Sequence, residues 1–112
     1  MRRLAWIALL FAFACRSRET GDSDHTKQLF TKYGCVACHQ IPGIDAPHGA
    51  VGPSLDKLAT RTTIAGHLPN TPQTMIQWLQ NPQSLNPQTS MPNVGVTPAD
   101  ARDMTAYLDT LK

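Results

Sequence analysis

A chain of 112 residues is enough for one domain and no more. A fold of this size buries a modest share of its surface, so it leans on a cofactor or a staple. Ten basic residues stand against eight acidic ones, and with Arg2 and Arg3 set aside the two signs balance at eight each; no basic stripe is present, which argues against a nucleic-acid partner.

The first predicted element is an export signal over residues 1–14. Met1-Arg2-Arg3 is a positive start, and Leu4 to Ala14 is an unbroken apolar run of 11 residues that includes Trp6, Ile7, Leu9, Leu10, Phe11 and Phe13. A bilayer crossing needs about 20 apolar residues, whereas the core of a cleaved signal needs fewer. An uncleaved anchor or a buried helix is the alternative. Residues 15–23 follow as a polar tether. The segment Ala12-Phe13-Ala14-Cys15 resembles a bacterial lipoprotein signal, in which the cysteine carries lipid and anchors the chain. Ala12 stands where Leu is usual and Phe13 is bulkier than usual; cleavage near Ala14, leaving Cys15 a stray thiol, is the competing reading.

One domain is expected over residues 24–112, with three to four helices and long loops. The first helix is predicted from Asp24 to Tyr33, capped by Ser23 or Asp24, apolar at Leu29, Phe30 and Tyr33, and ended by Gly34. Residues 40–53 hold Pro42, Gly43, Pro47, Gly49, Gly52 and Pro53 and predict a loop. Ser54 is placed to cap a short helix from Leu55 to about Thr60. Thr71-Pro72 starts a helix that runs to Gln80 or Asn81, with Met75, Ile76, Trp78 and Leu79 on its apolar face. Residues 82–96 predict another loop. Thr97-Pro98 starts the last helix, with Ala101, Met104, Tyr107, Leu108 and Leu111 at helical spacing. No useful strand alternation is present.

The chemistry lies between the first helix and the first loop. Cys35-Val36-Ala37-Cys38-His39 has the Cys-x-x-Cys-His spacing of covalent haem attachment. Two thiols on one turn can reach the two vinyl groups on one edge of the macrocycle, and the next histidine then meets the iron. Two other readings compete. Structural zinc would need further ligands, and the candidates Cys15, His25, His48 and His67 contain no second close pair. A thioredoxin-like redox pair would need a βαβ context that the predicted elements lack. The cysteine count is odd; haem on Cys35 and Cys38 with lipid on Cys15 leaves none over.

A haem iron takes a second axial ligand or keeps an open face. Met91 is the candidate, 52 residues after His39 in a proline-rich loop with no apolar period around it. Met75 and Met104 sit on helical faces and read as core. His48 and His67 are the rivals for bis-histidine ligation. A thioether favours ferrous iron, which raises the potential and suits an electron carrier.

Four features in order resemble a class I cytochrome c: Leu29-Phe30 leading into Cys35-x-x-Cys38-His39, then Gly52-Pro53-x-Leu55, then Met91-Pro92, then a last helix with Tyr107-Leu108. The stretch from Arg61 to Thr71, with Trp78-Leu79, Asn81-Pro82 and Met91-Pro92, is similar to the cytochrome-c domain of subunit II of caa-type cytochrome oxidases. No copper-binding domain or transmembrane hairpin precedes it, which implies a free-standing relative. The resemblance implies an all-α fold around one covalent haem c. It places the Pro53 carbonyl on His39 Nδ1–H, packs Phe30 and Tyr107 near a crossing of the first and last helices, and makes Arg61 and Trp78 candidates to hydrogen-bond the haem propionates. Many relatives carry glycine four residues before that phenylalanine; here it is Thr26, which implies a wider or rotated crossing.

The expected function is a monohaem electron carrier, exported to the periplasm or the outer face of the cell membrane, monomeric, with no substrate chemistry. Its expected partners are redox proteins, a terminal oxidase or another respiratory complex among them. The alternative is a haem sensor or small enzyme with an open or displaceable sixth site.

Overall fold

The computed structural model describes residues 24–112; the predicted signal, the tether and Cys15 lie outside the described residues. Helix α1 spans Asp24–Lys32 and buries Thr26, Leu29 and Phe30, the i, i+3, i+4 spacing of a single face. Gly34 follows in the left-handed region (φ 74°), where glycine bears no Cβ penalty. This turn ends α1 and directs the chain into a short 3-10 turn at Cys35–Ala37.

Two helices start where a threonine precedes a proline. In α2, Pro72–Gln80, Thr71 Oγ1 accepts the Thr74 N–H at 3.2 Å. In α4, Pro98–Leu108, Thr97 Oγ1 accepts the Asp100 N–H, also at 3.2 Å. Each cap satisfies a backbone donor that has no partner within its helix, and each proline stands where its missing N–H costs nothing. Between them Pro82–Leu85 forms a single helical turn, α3, inside the stretch predicted as loop. Pro82 ends α2 and begins α3, because proline stops one helix and suits the first position of the next.

Three further expectations are corrected. The Ser54 helix is reduced to a 3-10 turn at Leu58–Thr60; Ser54 Oγ accepts the Asp56 N–H at 3.2 Å, but no continuous helix follows. Thr63–Ile64 (β1) and Leu68–Pro69 (β2) form an antiparallel pair, where no strand was expected. Leu111 lies beyond α4, which ends at Leu108; its carbonyl accepts the Ala59 N–H at 2.8 Å and ties the tail to the Leu58–Thr60 turn.

Helix α4 packs against both α1 and α2. The Phe30 and Tyr107 rings meet with centroids 5.3 Å apart and planes tilted by 54°. The Tyr107 hydroxyl donates to the Pro42 carbonyl at 2.5 Å, which satisfies the polar end of a buried ring and holds the first loop against the helices. Thr26 is buried with Leu29 and Phe30 on the inner face of α1. The architecture is therefore helical, with one two-stranded pair as its departure from all-α.

Candidate functional site

A cavity of about 470 Å³ opens between these elements. This is within the size range of cofactor sites, roughly 300–1,000 Å³. Phe30, Leu58, Ile64, Met75, Trp78, Leu79 and Leu108 line it, so seven of the thirteen buried apolar residues among the described ones face the cavity. The core is thus built around a space rather than filled by side chains alone.

The attachment segment forms one part of the wall. Cys35, Cys38, His39, Gly52 and Pro53 all line the cavity. The Gly34 turn and the 3-10 turn at Cys35–Ala37 place the two cysteines; the Cys38 and His39 N–H groups both donate to the Cys35 carbonyl, at 3.3 and 3.0 Å. The first loop folds back onto this segment. Gly49 N–H donates to the Val36 carbonyl at 3.0 Å, and Gly52 N–H to the Cys38 carbonyl at 2.8 Å. A Cβ at Gly52 would collide with the His39 ring, so only glycine permits this approach.

His39 Nδ1 lies 2.7 Å from the Pro53 carbonyl. A carbonyl can only accept, so Nδ1 carries the proton and Nε2 keeps its lone pair for a metal. Burial pushes the Cys35 thiol up to about 11; the neighbouring Cys38 charge adds to this and the backbone hydrogen bond to Cys35 opposes it. Such surroundings disfavour a thiolate and suit a neutral thioether. Zinc chemistry lacks its donors here: no three His, Cys, Asp or Glu side chains among the described residues form a metal-holding group.

Met91 reaches the same cavity with Thr89, Ser90, Pro92 and Val94, from a segment far from His39 in sequence. His48 and His67 do not line it; both are exposed, and His48 Nδ1 lies 3.3 Å from the Gly49 carbonyl. Arg61 lines the cavity, and one of its terminal nitrogens donates to the Ser54 and Asp56 carbonyls at 2.7 and 2.9 Å. Asn70 steadies the same strand of chain by donating to the Leu58 and Arg61 carbonyls at 3.0 and 2.9 Å. Trp78 lines the cavity and is 9% exposed; its indole N–H has no acceptor among the described residues.

The sequence motifs and the cavity therefore meet at Cys35, Cys38, His39, Pro53, Arg61, Trp78 and Met91. Two thiols, one of them held neutral by burial at Cys35, an imidazole with a free Nε2, a thioether and apolar walls together fit a haem. Several wall residues are not among those the sequence marks as site residues. Ile64, Ala65 and Gly66 come from the unforeseen hairpin, Val51 and Val94 from aperiodic loops. Val51 is 86% exposed and Val94 41% exposed, which marks an apolar rim to the cavity.

A family model described as cytochrome c matches residues 23–112. Cytochrome c oxidase subunit 2 of Alkalihalophilus pseudofirmus is 30% identical over 109 residues, covering 96% of this chain and 31% of that protein. Cytochrome c oxidase subunit 2 of Bacillus subtilis is 30% identical over 79 residues, covering 66% of this chain and 22% of that protein. The chain thus spans less than a third of the length of these relatives. No helix among the described residues is long and apolar enough to cross a membrane.

Proposed function

The chain belongs to the cytochrome c family, a haem c electron carrier of class I fold, and from that premise we propose that His39 and Met91 are its axial ligands and that it exchanges single electrons with a membrane respiratory complex. The observation that carries the ligand assignment is that one apolar cavity takes both side chains and leaves His48 and His67 outside. When bound, the haem supplies a reversible ferric–ferrous couple.

The chain's own residues do the rest. Cys35 and Cys38 tether the group. The Pro53 carbonyl holds the His39 proton on Nδ1, which fixes the ring and makes Nε2 a stronger donor. Met91 supplies a soft sulfur. The apolar walls would shield the bound group from water. Trp78 and Arg61 keep N–H groups for the propionates. The ferric protein is expected to show the weak red sulfur-to-iron band, and Met91→Ala to lose it. A wild-type protein that lacks the band and binds carbon monoxide readily would overturn the assignment in favour of a sensor or small enzyme.

The relatives named as oxidase subunits support an oxidase as the partner. The exposed Val51 and Val94 at the rim support docking by apolar contact, and the six basic and six acidic residues over 24–112 give no net field to steer it. The apolar run over residues 4–14 supports export, and Cys15 a lipid anchor. Growth with a radioactive fatty acid tests the anchor: label on the wild type that disappears in Cys15→Ala supports it, and an unlabelled wild type ends it.

A further inference from the structure

Met91 lies in residues 86–96, which contain no helix or strand, yet both polar groups of its backbone are held. The Gln83 side-chain amide donates to the Met91 carbonyl at 2.7 Å. The Met91 N–H donates to Thr89 Oγ1 at 3.2 Å. Pro92 follows and has no N–H to add a further bond.

Gln83 differs from Thr89 in where it stands. It belongs to α3, whose first residue, Pro82, is fully buried. The α3 turn is closed by the Ser84 hydroxyl, which donates to the Asn81 carbonyl at 2.7 Å, and by the Asn86 N–H, which donates to the Pro82 carbonyl at 3.0 Å. α3 follows α2 across the single residue Asn81, and α2 carries Trp78 and Leu79 into the cavity wall. A side-chain amide on this turn therefore connects the irregular loop to the rigid part of the molecule.

We infer that Gln83 is a positioning residue for the Met91 thioether: its amide, borne by α3, holds the Met91 backbone where the sulfur can reach the haem iron. The inference rests on the proposed His39/Met91 ligation. The role needs a donor, because the partner is a carbonyl. Glutamine supplies one at every pH; glutamate supplies one only when protonated. One neutral hydrogen bond shifts such an equilibrium by roughly tenfold at most.

The test uses the haem-loaded wild type and two variants, Gln83→Leu and Gln83→Glu. The sulfur-to-iron band of the ferric protein is followed against pH, together with the reduction potential and the far-ultraviolet helix signal. With roughly tenfold weaker sulfur binding, Gln83→Leu loses the band about one pH unit lower than wild type. Its potential falls, because the thioether favours ferrous iron, and its helix signal stays unchanged. Gln83→Glu behaves like Gln83→Leu at neutral pH and returns towards wild type as its carboxyl protonates in acid. That acid recovery is a signature that simple packing would not produce. Two results overturn the inference in a wild type that shows the band: variants matching wild type in band-loss pH and potential, or variants that lose band and helix signal in one transition. A wild type without the band overturns the underlying ligation instead, and the two failures are thereby distinguished.

Discussion

Tyr33 and Asp100 link α1 to α4 beside the cavity. The Tyr33 hydroxyl donates to Asp100 Oδ2 at 2.5 Å, and Lys32 Nζ stands 3.8 Å from the same oxygen and 5.1 Å from the Tyr33 ring centroid. The Tyr33 bond is the main reason the Asp100 carboxyl is held below its usual range; the charges of Lys32 and His25 and the Thr97 hydroxyl act in the same direction, and burial opposes them. A carboxyl with a depressed folded pKa stabilises the fold above its unfolded pKa, about 3.9, and loses that contribution as pH falls through the lower folded value. Asp100→Asn is therefore expected to be less stable than wild type at pH 7. The gap should close as both proteins are taken below the folded pKa. Urea unfolding at neutral and acid pH measures it. A gap that is constant across this range would show that the carboxylate charge contributes nothing.

The three long helices follow from local signals, which is why they are legible in the sequence. Thr71-Pro72 and Thr97-Pro98 each combine a cap with a residue suited to the first turn, and the apolar spacing then continues for two turns or more. If the Thr97 cap works as drawn, Thr97→Ala costs about 1 kcal/mol in urea unfolding. The loss should leave the haem spectrum unchanged, because Thr97 does not line the cavity. A variant as stable as wild type would mean the cap is replaced by solvent. Elements that depend on tertiary contact escaped the same reading. α3 is one turn long, so no period marks it, and Pro82 signals a stop as strongly as a start. The β1–β2 pair has two residues per strand, below the length at which alternation shows. Its turn places Ala65 and Gly66 at φ 50° and 89°; glycine suits that region, whereas nothing about an alanine announces it. The site divides along the same line. The attachment motif is contiguous and Met91 stands out against its loop, but Gln83 acquires meaning only once α3 exists to carry it.

At the scale of the whole molecule, the cavity makes the cofactor part of the core. Without the haem, the apolar walls around about 470 Å³ are left facing water. The burial they forfeit is a large part of what holds a small, marginally stable domain together. The Cys35→Ala/Cys38→Ala double variant, made without haem, is therefore expected to show weak helix signal and no cooperative urea transition. A sharp transition near the midpoint of the haem-loaded protein would show that the apolar walls close on themselves.

The loop folded over the attachment segment sets an order in time. Its hydrogen bonds from Gly49 and Gly52 land on Val36 and Cys38, within the five residues that must be open while two thioether bonds are made. A Cβ at Gly49 would collide with the Ala37 carbonyl, so closure there leaves no slack. Once His39 has turned to Pro53, the segment can no longer be handled as an extended strand. Joining the thioethers therefore calls for this loop to stand open, and the finished fold closes over the seam at which the group is held.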